Sequence, residues 1–462
     1  MVSIFRGDCH DLFDLAARLL EPEIAAATPR TRPVQIVVKP NWVQHQAETR
    51  DSWQALITSP DLVHQVVRAV ATLTKGQAVI SVCDAPHTYA DFDAILSRGA
   101  LRDRLASVAN EWPSLQLEIL DLRRERWFRR DGVVVHREFN AKDPRGYTAV
   151  DLGRRSCLHG YGGEGRFYGA DYDRRVVNLH HRGDRHEYLL AGTPLDADLF
   201  INLPKLKTHR KTGMTAALKN LVGINGDKNW LPHHTEGCPA NGGDERPIVS
   251  WTDWVETRVK TLAQAATLRA PSIGGTLYRL ARRRGIALLD ADGTSIRNGN
   301  WRGNDTCWRM ALDLNRALLF ANRDGSLRTA AQPKRYFCIV DGIIGGEGNG
   351  PTDPEPVLSN VLIAGGNPAE VDAAAARVMG FDIECLPIVR RAFDRHDLPI
   401  GRTPLGLVTC FDERIGTHIP VSDVGPAISG GFRPHVGWAD MRPPSASEAE
   451  TASEAAGLAS TR

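Results

Sequence analysis

The sequence predicts an α/β fold, a mostly parallel Rossmann-like sheet flanked by helices, with loop and antiparallel insertions. Three observations carry that expectation. Short runs such as Val34 to Val38 and Val79 to Cys83 are rich in β-branched residues, as strands buried on both faces are. Segments of helical spacing separate the first three such runs, giving a β-α-β-α-β order and a right-handed parallel sheet. The runs then stop abruptly in polar residues, as strands entering loops at one sheet edge do.

The elements follow in order. Residues 10–27 have helical spacing, with Leu12, Leu15, Leu19 and Leu20 on one side. Val34 to Val38 is a strand halted by Lys39-Pro40-Asn41. Ser59-Pro60-Asp61 opens a helix with an N-cap, a proline at the first helical position and an acid in the first turn. Its face Leu62, Val66, Val70 and Leu73 is directed at the sheet, and Gly76 ends it. Val79 to Cys83 is the second strand, stopped by Asp84-Ala85-Pro86. A helical region to Asn110 leads to a third strand, Leu115 to Leu120.

The pattern divides the chain into 1–123, an irregular insertion over 124–190, a second α/β part over 191–442 that completes the same sheet or forms a second lobe, and a disordered tail over 443–462. The insertion is rich in Arg, His, Gly and aromatics; its dispersed tyrosines from Tyr161 to Tyr188 could stack on a base or sugar, or on one another. The α/β rhythm resumes at Leu199. Residues 250–285 read as helical with a break from Pro271 to Gly275, and the second piece ends basic at Arg279, Arg282, Arg283 and Arg284. Trp308 to Phe320 is another helix. Tyr336 to Val340 is a strand, followed by Asp341 and a glycine-rich loop from Gly342 to Gly350. Val361 to Ala364 is a strand, and Asn367-Pro368-Ala369-Glu370 starts a helix with cap, proline and acid in the expected order.

Composition narrows the function classes. With 462 residues, 42% apolar and 24% charged, the chain can bury a sizeable core. A formal net charge of +2 argues against a bulk nucleic-acid or membrane-surface binder. No apolar run approaches the ~18 residues of a membrane span. The N-terminus meets acids before any long apolar core, which argues against a signal peptide. The 8 cysteines form no CxxC pair and several lie in apolar runs, so they read as small buried hydrophobes in a cytoplasmic protein, and an iron–sulfur cluster is not expected.

One stretch departs from this balance. Ile201 to His234 carries Lys205, Lys207, Arg210, Lys211, Lys219 and Lys228 against the single acid Asp227. Crowded like charges raise the free energy of a fold unless an anion compensates them. Lys205, Lys207 and His209 alternate, so on an extended segment they share one face. Thr212-Gly213-Met214-Thr215 leads into TAALKNLVG, a helix-forming run whose start could offer N–H groups to a phosphate, with Lys219-Asn220 one turn further in.

Other strand ends add to this wall. Lys39 and Asn41 follow the first strand, Asp84 the second, and Asp341 the strand before the glycines; polar residues also end strands simply because loops are wet. The glycine-rich segment has neither the G-x-G-x-x-G spacing nor a P-loop lysine, since Pro351 stands where Lys should be. With its acids Asp341, Glu347 and Asp353, it could be an anion nest, a metal-holding loop or a plain wide turn. Asp372, in the first turns of its helix, is either a metal ligand or a complement to the helix dipole. His233-His234 could ligate a metal or act as a base, with at most one serving a given site.

The segments VVKPNW (37–42), INLPKLKTH, TGMTAALKNLVG, VDGIIGGEGNGP and NPAEVDAAAARVMGFD together resemble the large domain-of-unknown-function family number 362, across residues 34–395. GNWRGNDTCWRMALDLNR and DKNWLPHH look like features of a long subgroup. The resemblance implies an α/β protein without a settled activity. Many relatives carry a ferredoxin-like segment of closely spaced cysteines, which this chain lacks.

The expectation is therefore an enzyme acting on a small anionic molecule, phosphorylated, nucleotide-linked or a carboxylate. Lys39, Asn41, Lys205, Lys207, Lys219 and Asn220 would bind the anion. His209, Asp84 and Asp341 would move protons, and Asp84, Asp341, Glu347 and Asp372 are the candidates for a divalent ion. A redox protein like the cluster-bearing relatives, or a non-catalytic anion binder, are the alternatives.

Overall fold

Side chains of alternating strand residues enter two separate cores, one on each face of a central sheet. Ile36 and Val38 pack on one side and Val37 on the other; Leu199, Ile201 and Leu203 oppose Phe200; Phe337 and Ile339 oppose Cys338 and Val340. This two-sided burial is what the near-continuous apolar runs require. The computed structural model describes residues 2–7, 11–29, 31–130, 133–140, 142–169, 174–245 and 298–442. The helix expected over 250–285 and the tail over 443–462 lie outside the described residues.

The strands, in chain order, are β1 (Val2–Arg6), β2 (Val34–Pro40), β3 (Ala78–Asp84), β4 (Gln116–Asp121), β5 (Glu125–Arg130), β6 (Val133–Phe139), β7 (Tyr147–Asp151), β8 (Phe167–Gly169), β9 (His181–Arg182), β10 (Arg185–Ala191), β11 (Leu199–Leu203), β12 (Lys205–His209), β13 (Gly213–Thr215), β14 (Pro232–Thr235), β15 (Arg335–Asn349), β16 (Asp353–Gly365), β17 (Thr409–Asp412) and β18 (Thr417–Pro420). The central sheet runs β18, β17, β1, β16, β15, β11, β2, β3, β4, with β12 and β13 attached beside β15. β15, β11, β2, β3 and β4 are mutually parallel. β16 turns antiparallel to β15, and β1 is antiparallel to β16. The sheet is thus mixed and mostly parallel, and both the 1–123 and the 191–442 parts contribute strands to it.

The helices Leu12–Ala27, Pro60–Leu73 and Leu101–Glu111 cover one face. The Pro60–Leu73 helix has the predicted start, with the Ser59 hydroxyl accepting from Asp61 N. The helices Cys307–Phe320 and Pro368–Val378 lie on the other face. The Asn367 side chain caps the latter through Ala369 N and Glu370 N, as its sequence indicated. Residues 124–190 form antiparallel pieces, the β5–β6 hairpin, β7–β10–β9, and β8 paired with β14.

Two local expectations are corrected. The glycine-rich stretch Gly342 to Gly350 is not a loop: β15 continues through it to Asn349, paired with β16. Its glycines are required by close packing, since a Cβ on Gly345 would meet the Phe432 ring at 2.5 Å and one on Gly346 would meet Lys207 Cβ at 2.9 Å. The TAALKNLVG run makes only the short helix Ala217–Asn220 and a 3-10 turn. Among the described residues no helix is long and apolar enough to cross a membrane.

Candidate functional site

The strand order decides which charges meet. β2 and β3 are neighbours, so Lys39 at the end of one reaches Asp84 at the end of the other, Nζ to Oδ1 2.9 Å. Lys39 Nζ also donates to Pro40 O at 2.9 Å and to Asn220 Oδ1 at 3.1 Å. Asp84 Oδ2 accepts from Trp42 N at 2.7 Å. Gly223 lies against this pair: a Cβ there would stand 1.8 Å from Asp84 Oδ1. Its carbonyl accepts from Ala85 N at 2.7 Å. Gly223 was not singled out from the sequence, since a glycine within LKNLVGIN reads as an ordinary helix end.

A second pair forms where β12 runs beside β15. Lys205 Nζ donates to Asp341 Oδ2 at 2.9 Å, and that oxygen also accepts from Ser59 N at 2.7 Å. Both side chains are buried. Burial lowers the Lys39 and Lys205 pKa values, and the nearby carboxylates counter it in part.

Lys207 and Lys219 are different. Lys207 Nζ donates to the carbonyls of Leu56 (2.6 Å) and Pro351 (3.3 Å) and pairs with no carboxylate among the described residues. It is wholly buried, and burial together with Lys205, Lys219 and Lys39 holds its pKa well below the lysine range, Asp84 opposing. Lys219 is 6% exposed and makes no side-chain hydrogen bond among the described residues. Taking an ion out of water costs several kcal/mol, roughly twice or more what one charge-assisted hydrogen bond returns. Two carbonyls do not cover that cost for Lys207, and no group among the described residues covers it for Lys219.

Asparagines hold the lysines in place. Asn220 Oδ1 accepts from Lys39 and from Asn41 Nδ2 (2.8 Å), and Asn220 Nδ2 donates to Asn202 Oδ1 at 2.7 Å. Asn202 in turn donates to the Tyr336 hydroxyl oxygen at 2.7 Å. Lys39, Asn41 and Asn220 therefore form one hydrogen-bonded unit.

His209 ends β12 beside these groups. Its Nδ1 accepts from Lys211 N at 3.0 Å, so the other nitrogen carries the proton. Burial and the cations Lys219, Arg210 and Lys207 press its pKa well below the histidine value. At neutral pH it is an uncharged ring presenting an Nε2–H donor. His233 has the opposite arrangement. Its Nδ1 donates to Leu231 O at 2.9 Å, leaving the Nε2 lone pair, and burial and Lys219 keep it neutral.

The carboxylates expected to share a metal are held apart. β2 and β11 lie between β3 and β15, so Asp84 and Asp341 are separated by three strand spacings, roughly 14 Å. Glu347 accepts from Arg433 N at 2.8 Å and faces the Arg433 guanidinium at 3.4 Å. Asp372 accepts from Ala217 N (2.6 Å) and Leu218 N (3.1 Å). Its carboxylate thus occupies the helix start assigned to a phosphate, and it neither joins Asp84 nor complements its own helix's dipole. Burial pushes the Asp372 pKa up to about 7, against the pull of those two N–H groups. Among the described residues, no group of three or more His, Cys, Asp or Glu side chains is placed to hold a metal ion.

The aromatic cluster of the insertion is occupied by protein. Tyr161 stacks on Phe167, Tyr168 on His234 and His180 on Trp230, while the buried Tyr188 hydroxyl donates to Asp313 Oδ2 at 3.0 Å. The seven described cysteines are all free thiols.

Comparison with known proteins adds one match. The model of the family described as Domain of unknown function (DUF362) matches residues 36–377. Neither the curated proteins nor the solved structures contain a match.

Proposed function

The chain belongs to the DUF362 family, and on that premise we propose that it is an enzyme acting on a small anionic molecule bound at the lysine-lined end of the parallel strands. The observation that carries this reading is a charge imbalance. Lys39 and Lys205 each have a carboxylate partner, while Lys207 and Lys219 are buried close to them with none among the described residues. An anion of one or two charges would complete the set, and its binding would raise the lysine pKa values back toward their ordinary range.

In this reading Lys207 and Lys219 contact the anion, with Lys205 behind them. The Nε2–H of His209 donates to it. The two ion pairs and the asparagine unit fix the geometry. The buried acids Asp84 and Asp341 favour a bounded ligand over a polyanion, which they would repel. A phosphate or carboxylate compound fits equally. The free thiols suit a reducing cytoplasm.

Inorganic phosphate, pyrophosphate and a panel of small carboxylates, titrated in thermal melts, test the proposal. At least one should raise the melting temperature of the wild-type protein, and Lys207→Ala should abolish that response while remaining folded. If no anion shifts the melt, or if the shift survives in Lys207→Ala, the site reading fails.

A further inference from the structure

The amine of Lys219 differs from the other strand-end lysines. Lys39, Lys205 and Lys207 each donate to at least one oxygen, and Lys219 to none among the described residues. The side chain is 6% exposed, yet Nζ is not one of the sealed, unpartnered buried atoms, so the exposed remnant includes the amine itself. Lys207, Lys211, His209, His233 and the Cys307 thiol all lie within its electrostatic reach. Burial lowers the Lys219 pKa, and an amine that is buried and unbonded is shifted toward its neutral, nucleophilic form.

The neighbouring groups select the amine over other nucleophiles. Burial pushes the Cys307 thiol pKa up, so the sulfur stays protonated. Lys39 and Lys205 are tied to carboxylates. His233 holds its Nε2 lone pair available, because Nδ1–H is spent on Leu231 O.

We propose that Lys219 forms a Schiff base with a small carbonyl compound that also carries a carboxylate or phosphate, such as a 2-oxo acid. This inference rests on the anion site proposed above and names its substrate class. Lys207 holds the anionic group. The Lys219 lone pair attacks the carbonyl carbon, and the C=O π pair moves onto oxygen, which takes a proton to become a hydroxyl. His233 Nε2 relays both protons lost by nitrogen, the first to that oxygen and the second to the departing hydroxyl. One amine and one carbonyl become one imine and one water, and nothing is oxidised or reduced.

The test uses the full-length protein, pyruvate and glyoxylate in separate reactions, sodium borohydride, and intact-mass analysis with peptide mapping. The expected result is one reduced adduct per chain, on Lys219, that excess inorganic phosphate suppresses. Lys219→Arg and Lys219→Met should lose it while melting as folded proteins. Lys207→Met should keep it but raise the carbonyl concentration for half-labelling by about tenfold, the loss of one charge-assisted contact. No adduct with either carbonyl, while phosphate still raises the melting temperature, leaves the anion site standing and overturns the Schiff base. An adduct that persists in Lys219→Arg overturns it too. Absence of both the adduct and any phosphate response overturns the inference together with the anion site.

Discussion

Lys39 Nζ lies 2.9 Å from Asp84 Oδ1, with the two side chains 0% and 3% exposed, so one buried ion pair locks the ends of two adjacent parallel strands. Removing one member strands the other in a low-dielectric interior. Asp84→Ala should therefore lose about 3–5 kcal/mol of unfolding free energy. The double variant Lys39→Met, Asp84→Leu should recover much of that loss, since no lone charge remains. Urea denaturation of the wild type, the single and the double variant checks both statements; a double variant as unstable as the single one would refute the pairing argument.

Gly223 is held to glycine by that same pair. A Cβ would lie 1.8 Å from Asp84 Oδ1 and 2.6 Å from Lys39 Nζ, and neither atom can move without leaving its partners. Gly223→Ala should cost about 1–3 kcal/mol by overpacking and weaken the melting response to phosphate. Denaturation midpoints and anion titration of this variant measure the two effects separately.

The uncompensated lysines give a distinctive signature. Lys219→Met removes a buried, unpaired amine and orphans no acceptor among the described residues, so it should stabilise the anion-free protein by about 1–3 kcal/mol at pH 7. Lys207→Met also relieves a cation but leaves Leu56 O without its donor, so its net change should stay within about 1 kcal/mol. The lysine pKa values are depressed in the fold, so the wild-type penalty develops as pH falls below the unfolded value near 10.5 and is complete below the folded one. The Lys219→Met gain should accordingly be larger at pH 7 than at pH 10.5, by denaturation at both. A gain that does not change with pH would sink the idea of a buried, unpaired lysine.

Asp372 adds a second pH dependence. Its folded pKa of about 7 stands above the ordinary aspartate value of 3.8, so the fold favours the protonated acid. The stability this contributes is fully present below about pH 4 and is lost as pH rises to 7. Asp372→Asn cannot ionise, although its NH2 group must face Ala217 N or Leu218 N, which costs a hydrogen bond. Measured against wild type, the variant should look worst at pH 4 and improve steadily to pH 7. A constant difference across that window would show that Asp372 is not the titrating group.

Much of the fold was legible because local rules governed it. The Ser59-Pro60-Asp61 and Asn367-Pro368 starts, the apolar face Leu62, Val66, Val70, and the β2, β3 and β4 runs all read directly from spacing and capping chemistry. The glycine-rich segment misled because glycine signals a loop by propensity. Its presence in β15 reflects instead the rings and backbones packed against Gly345 and Gly346. Val2–Arg6, which becomes β1 between β16 and β17, is too short to announce itself, and its partners lie near residues 361–365 and 410–412.

Read alone, the sequence was enough to order the strands and helices and to bring lysines and acids to the strand ends. Those follow from side-chain periodicity and from which residues can cap or end an element. The pairings came from the folded arrangement. Placing β2 beside β3 gave Asp84 to Lys39, and running β12 along β15 gave Asp341 to Lys205. Helix docking spent Asp372 on the Ala217 helix start, and Arg433 claimed Glu347. Charge neutralisation depends on a few ångströms between residues tens to hundreds apart in the chain. The sheet order that sets those distances left Lys207 and Lys219 without an ion-pair partner among the described residues.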